Sequence, residues 1–411
     1  SGQGYMDPEN VFLSGPWYPR PGQPVRYQLS VTLPDNFIAI GAADSVSLKK
    51  HSGQATYRFH FDNPLDGLHL AASTRYIVKK EHHAGVAIEA YFFKADAALA
   101  DTYIRYTKKY IDMYSGMLTP YPYKRFAIVE NILPTGYSMP TFTLLGRTVV
   151  KLPFIVRTSL GHEILHQWFG NSVYIDYAHG NWAEGLTNYL ADHHYAERDN
   201  RGAAYRKQIL LDYQAYVNPD NALPVNRFYS RQSRAQAAIG YGKAAMIFHM
   251  LRQRLGDDLF FESLRKLIRD NAFRQAGWPD IQRAFAQITG QDLADFFAQW
   301  LNRRDIPDLK IENTGLAFDG NRLALRFDIL QAEPSYRLSL PVTIATARSQ
   351  HTRVVEVTRS PEHVLIPLDS TPLEVVIDGD FSVMRTLNTD ERPPILADIM
   401  GSEGLLSLIH I

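Results

Sequence analysis

The sequence predicts a multidomain α+β protein, with β structure at both ends and a mainly helical middle. Three observations carry this. Polar and apolar residues alternate with period two over about 26–93, helical periodicity dominates between about 157 and 303, and five or so short alternating segments crowd the last part of the chain. At 411 residues the chain is also too long for one ordinary core, so two to four domains are expected.

In order along the chain, YQLSVTL (27–33), ATYRFHF (55–61) and VAIEAYFF (86–93) read as strands, with Gly and Pro clustered between them. From Ala95 the stretch ADAALADTYIRYTKKYIDMYSGML predicts a long amphipathic helix, and PYPYKRFAIV then returns to an extended run. AAMIFHMLRQRLGDDLFFESLRKLI (244–268) is typical of the helical middle. Asp305-Ile306-Pro307-Asp308 breaks that pattern and marks a boundary. Beyond it RLALRFDIL (322–330), RLSLPVTIATA (337–347), HVLIPL (363–368) and LEVVID (373–378) predict a small β-sandwich. The expected domains are 1–94, 95–305 and 306–390, with 391–411 as a tail or the start of a further segment.

Lys plus Arg (43) equals Asp plus Glu (43), and no basic run is present, so nucleic acid is not an expected partner. Zero cysteines exclude disulfides and thiolate sites, so any metal must be held by His and carboxylate. That leaves the compartment open, with the balance slightly toward a soluble exported or envelope protein of bacteria. No stretch reaches the roughly 20 apolar residues that span a bilayer. Ser1-Gly2 reads as a cloning remnant on a chain without a leader, and the apolar end GLLSLIHI (404–411) as one that continues into a longer protein. Oligomeric state is not legible.

GHEILHQWFG (161–170) places His162 and His166 four residues apart, hence on one helix face where both can reach a single ion. Thr158 or Ser159 can cap this helix, and Gly170-Asn171 is its stop signal. Leu160, Ile164, Leu165, Trp168 and Phe169 form its apolar stripe, which leaves the histidines to a cleft. A catalytic zinc takes three protein ligands and keeps a position open. The candidate third ligand is Glu184 in NWAEGLTNYLADHHYAE (181–197), a second predicted helix. In isolation such a glutamate would only complement a helix dipole; after an HExxH the metal reading outweighs this. Asp176 is another acid within reach, in the connecting loop. His193-His194 and His82-His83 are expected to be exposed pairs, and His249 a satisfied core residue. One zinc per chain on His162, His166 and Glu184 would acidify a water. Glu163 would then serve as general base, and Tyr241, one of 23 tyrosines, as oxyanion donor.

HEILHQWFGN, then WAEG, then YGKAAMIFHML closely resemble the membrane alanyl aminopeptidase and leukotriene hydrolase family of gluzincin zinc metallopeptidases. TPYPYKRFAIV (119–129) is similar to the entry into that family's catalytic domain, and PLEVVIDGDFSVMRTL (372–387) to the end of its small β-sandwich. The resemblance implies a partial N-terminal β domain, a thermolysin-like catalytic domain, zinc on His162, His166 and Glu184, a base at Glu163 and an oxyanion donor at Tyr241. It implies a peptide or protein substrate.

The chain departs from the family in four ways. Seventeen residues separate His166 from Glu184, one fewer than the family's eighteen, and the loop at about 172–181 is expected to absorb the difference. The family's GxMEN segment, whose glutamate takes the substrate's free amine, reads GYSMP here (136–140). Gly136, Tyr137, Ser138 and Met139 are therefore the expected substrate-binding segment, with Glu9 or Glu130 as substitutes for the missing acid. Only the later half of the N-terminal domain is matched, and the helical domain that roofs the family's site has no counterpart, so a more open cleft is expected. Function is accordingly read as an aminopeptidase-like zinc metallopeptidase. The alternatives are an endopeptidase or other hydrolase needing no free N-terminus, and a non-catalytic zinc-binding scaffold.

Overall fold

The computed structural model describes residues 4–15, 17–133 and 136–392; the expected tail lies almost wholly outside them. The β pattern near the N-terminus forms two antiparallel sheets. Val25–Pro34, Gln54–Leu65 and Ser45–His51 make a three-stranded sheet, and Tyr5–Met6, Asn10–Leu13, Leu70–Ser73 and Ile38–Gly41 a four-stranded one. Along Val25–Pro34 every second residue turns inward, as the alternation requires. Tyr57 and Phe59 of one sheet meet Val11, Ala39 and Leu70 of the other.

A five-stranded mixed sheet follows, in spatial order Gly136–Met139, Phe142–Gly146, Arg125–Asn131, Val86–Phe93, Tyr76–His83. Its three middle strands are parallel and its two outer pairings antiparallel. Arg125–Asn131 is buried along its whole length because its two faces enter different cores. Ala127 and Val129 pack toward the N-terminal sheets, Phe126 and Ile128 toward the helices.

The long helix expected after Asp96 spans Ala100–Met117 and covers that second face with Tyr103, Ile104, Tyr110, Ile111 and Tyr114. Two of these tyrosines hold the motif region. Tyr110 donates to the Val156 carbonyl at 2.9 Å and Tyr114 to the Gly161 carbonyl at 3.0 Å. Gly161 permits this approach, since a Cβ there would lie 2.7 Å from the Tyr110 ring.

The expected helix at 244–268 is two helices, Ala244–Leu255 and Asp257–Asn271. Gly256 separates them at φ +78°, a left-handed conformation that glycine adopts without a Cβ penalty. The end of the chain forms six strands in two three-stranded antiparallel sheets, one more strand than was read. One holds Lys310–Asp319, Arg322–Leu330 and Glu362–Pro367; the other Gln350–Val357, Leu338–Thr346 and Pro372–Ile377.

The sandwich is tied to the helices through polar contacts that are themselves buried. Lys243 has no solvent exposure and donates to the Arg303 and Asp305 carbonyls at 2.8 and 2.9 Å; burial lowers its pKa to about 7. Arg206 donates twice to the Asp380 carbonyl, at 2.8 and 3.1 Å. Its other nitrogen reaches His193 at 2.8 Å. His193 is thus 1% exposed rather than on the surface, and burial with the Arg206 charge lowers its pKa to about 3. Its neighbour His194 is half-buried. His249 is in the core as expected, with its Nδ1 3.3 Å from the Tyr189 hydroxyl and its Nε2 unpartnered. His82 is exposed, while His83 contacts Asp112 at 2.6 Å.

Arg385, 3% exposed, bonds both Asp378 (2.8 Å) and Glu391 (2.6 Å). Arg385→Met strands two carboxylates, so it should cost about 3–5 kcal/mol, read as a lower denaturation midpoint.

Candidate active site

The motif helix runs Ser159–Leu165 and ends at His166, with Gly170 at φ +107° as the stop. Its apolar stripe, Leu160, Ile164, Leu165, Trp168 and Phe169, is completely buried. The expected cap does not form: Thr158 stands at the N-cap position, but its hydroxyl donates back to the Phe154 carbonyl at 3.0 Å. Packing and the two tyrosine bonds hold the helix instead.

With the stripe buried, the imidazoles of His162 and His166 turn the other way, their ring centres 4.9 Å apart. The connection to the second helix is compact. Val173–Ile175 pairs with Arg274–Ala276, and a short turn at Tyr177–His179 follows. Asp176 belongs to this turn, bonding the Ala178 amide and the His179 ring. Gly180 at φ +87° then lies against Asn226, where a Cβ would come within 2.7 Å of the backbone. Trp182 anchors the next helix by donating to the Ala276 carbonyl at 2.7 Å.

This helix begins at Ala183 and runs to Arg198 through a π-turn at Tyr189–His193. Its Glu184 Oε2 is 3.4 Å from His166 Nε2 and 3.7 Å from His162 Nε2. The seventeen-residue connection therefore still turns Glu184 toward both histidines. The opposite ring nitrogens are held as well: His162 Nδ1 contacts Asp192 at 2.7 Å and His166 Nδ1 the Phe169 carbonyl at 3.0 Å. These partners leave both Nε2 atoms facing Glu184.

One donor atom from each of His162, His166 and Glu184 lies within 4.8 Å of the others. Ligands about 2.0–2.1 Å from a tetrahedral zinc are spaced by roughly 3.3–3.4 Å, so the arrangement and the N,N,O donor set fit such an ion. Burial opposes charge on both imidazoles, but Asp192 for His162 and Glu184 for His166 outweigh it and raise their pKa values. Burial alone would raise Glu184; the two imidazoles instead hold it far below the usual carboxylate range.

These groups line a cavity of about 840 Å³ that also contains Glu163 and Tyr241. The Glu163 carboxylate is directed past the triad toward Gly136, 3.5 Å from where a Cβ there would sit. Burial raises its pKa, and the two histidines only partly offset this. Tyr241 packs edge-on to Phe228 at 6.1 Å, and burial followed by the Glu184 charge keeps its hydroxyl protonated.

The edge strand Gly136–Met139 forms another wall. Gly136, Tyr137 and Ser138 line the cavity, but Met139 does not; it is 6% exposed and packs into the core. Ser138 Oγ donates to the Glu163 carbonyl at 2.7 Å and accepts from Gln167 and Asn171 at 2.9 and 3.0 Å. Among the described residues the strand itself contributes no carboxylate to the cavity. The proposed substitutes are elsewhere: Glu9 is exposed beside Arg75 at 3.8 Å, and Glu130 is buried, accepting from the Phe93 amide at 2.7 Å. Neither lines the cavity.

Two charged cavity residues, Asp192 and Arg231, were not read from the sequence. Asp192 had a signal, since Glu184, Asn188 and Asp192 form a polar stripe at helical spacing on an otherwise buried helix. Arg231 had none, because it enters from an irregular segment.

Residues 155–300 match the Peptidase family M1 domain. The chain is 22% identical to aminopeptidase 2 of Candida albicans, over 98% of this chain and 46% of that protein. It is 23% identical to the mitochondrial aminopeptidase 2 of Saccharomyces cerevisiae, over 60% of this chain and 27% of that one. The fold is shared with the crystal structure of Legionella pneumophila aminopeptidase A in complex with aspartic acid. The TM-score is 0.73 at 16% identity, covering 94% of this chain and 48% of that chain. The chain thus spans about half the length, or less, of these relatives. Residues 155–300 thus carry a Peptidase family M1 domain, on a multidomain α+β fold shared with a solved aminopeptidase.

Proposed function

We propose that this chain is a zinc-dependent metallopeptidase, aminopeptidase-like in its scaffold, acting on peptides or proteins. The observation that carries the proposal is the convergence of His162, His166 and Glu184 in one cavity with Glu163 and Tyr241. His162, His166 and Glu184 would hold the ion. When bound it supplies Lewis acidity, bringing a water's pKa toward about 7 and polarising the scissile carbonyl.

The remaining steps belong to the chain's own side chains. Glu163 accepts the proton of the attacking water and later delivers it to the departing amine. Its raised pKa suits both halves of that task, because a carboxyl closer to neutrality holds the proton longer. The Tyr241 hydroxyl stays protonated and donates to the oxygen on which charge develops. Asp192 holds the His162 ring in the orientation that the triad needs. A non-catalytic scaffold would have no use for Glu163 and Tyr241 in this arrangement.

A second reading concerns the substrate's N-terminus. At Ser138, Gln167 and Asn171 direct N–H donors toward the segment where the family carries its amine-binding acid. An ammonium needs an opposite charge, and among the described residues the edge strand supplies no carboxylate of its own, while Glu163 beside it is engaged as the base. The arrangement favours cleavage that does not depend on a free amine, hence endopeptidase action or the hydrolysis of blocked substrates.

Glu163→Gln should lower kcat by about 10²–10⁴-fold while the protein still binds one zinc, counted by elemental analysis. Asp192→Asn should weaken zinc affinity by about 10–100-fold, measured by competition with a chelator. Acetylating the N-terminus of a cleaved peptide should change kcat/KM by less than about tenfold, or ~1.4 kcal/mol. A loss of a hundredfold or more would restore strict aminopeptidase action.

A further inference from the structure

We infer that Arg231 is a specificity-determining residue that receives a carboxylate on the substrate, close to the bond being broken. The inference rests on the peptide-hydrolysing reading of the same cavity.

Arg231 is the cavity's only Lys or Arg among the described residues. Its guanidinium carbon sits 5.8 Å from the centre of the Tyr241 ring, which places the charge beside the reacting region. Among the described residues no carboxylate lies within 4 Å of it and no hydrogen bond engages it. The nearby acids are committed elsewhere. Glu184 faces the two imidazoles, Asp192 holds His162, and Asp66, next to Tyr177, pairs with Arg20 at 2.5 Å. Glu163 points toward Gly136, on the edge-strand wall.

The segment that carries Arg231 is braced. Asn181, three residues before Glu184, donates its backbone amide to the Phe228 carbonyl at 2.7 Å and its side-chain amide to the Tyr229 carbonyl at 3.2 Å. Tyr229 in turn packs on Tyr177 with ring centres 4.5 Å apart. Tyr177 lines the cavity, and both rings remain exposed, at 47% and 61%. Arg231 is thus a cation with no carboxylate or hydrogen-bond partner among the described residues, next to an aromatic ledge, and registered to the helix that bears Glu184. A guanidinium offers paired donors that match a carboxylate's two oxygens, with a geometry that neutral groups do not meet. The cavity whose edge strand offers no acid for an amine thus carries a cation suited to an acid. The carboxylate can come from an acidic side chain flanking the scissile bond or from the peptide's own C-terminus.

The test uses the zinc-loaded protein and three peptides of one sequence with free amino termini. The first has Glu beside the scissile bond and an amidated end, the second has Gln there and an amidated end, the third has Gln and a free C-terminal carboxylate. For wild type, Arg231→Gln and Arg231→Lys, kcat/KM is measured. Equilibrium binding to the Glu163→Gln protein, with and without Arg231→Gln, is read by fluorescence anisotropy.

We expect one carboxylate peptide to exceed the neutral one by about tenfold or more in both readouts. Arg231→Gln should remove that advantage, Arg231→Lys should retain part of it, and the neutral peptide should change by less than about twofold. Which peptide responds identifies the source of the carboxylate. Equal losses on all three would overturn the inference and assign Arg231 to Tyr241 instead, and no preference in wild type would also overturn it. Carboxylate-dependent binding without turnover would leave Arg231's role standing and sink the hydrolase reading; turnover without preference would do the reverse.

Discussion

A carboxylate held between two imidazoles is the constraint on which the middle of this chain depends. Removing Glu184 from water is costly, and only the two facing rings make its ionised form tolerable there. The rings must then be aimed, so each has a partner on its far side: Asp192 for His162 and the Phe169 carbonyl for His166. Those partners come from the second helix and from the turn that ends the motif helix, so the two helices must cross at a set height. Gly161 beneath Tyr110, and Gly185 against Ala244, are positions where a side chain would hold the helices apart. The tyrosines of Ala100–Met117 then carry the requirement into the five-stranded sheet.

The sheet edge is where this chain departs from the amine-binding motif of the family it resembles. Its strand Gly136–Met139 keeps its pairing with Phe142–Gly146, so the backbone wall of the cavity persists. What changed is the chemistry displayed on it. Gln167, in the turn just after the motif helix, accepts from the Thr141 amide and donates to both Ser138 and the Met139 carbonyl. The strand is therefore locked to the helix by neutral groups. Arg231 lines the same cavity, as its only Lys or Arg among the described residues.

The terminal sandwich bears on the site through the helix that carries Tyr241. Lys243, two residues on, is buried and bonded to the backbone at 303 and 305, at the root of the sandwich. Arg206 joins the neighbouring helix to the Asp380 carbonyl. Moving the sandwich would disturb these bonds, and an unsatisfied buried donor costs about 1–3 kcal/mol.

Much of this was legible in the residues. Period-two alternation marked the strands, since each face of a strand answers to a different surroundings, and the HExxH spacing marked the two histidines because helical geometry alone superposes them. Glu184 was legible from its motif despite the shortened connection. The sequence could not show that Glu9 and Glu130 stand away from the cavity, that His193 is buried against Arg206, or that Thr158 turns its hydroxyl backward. Nor could it show the break at Gly256, where a glycine in a helical pattern reads equally as interior or end. Asp192 was half-visible, as the third member of a polar stripe whose partner sits on another helix. Arg231 was invisible. Local spacing determines which groups share a face of one element; which groups meet across elements is decided only when buried surfaces dock, and that docking is a property of the whole chain.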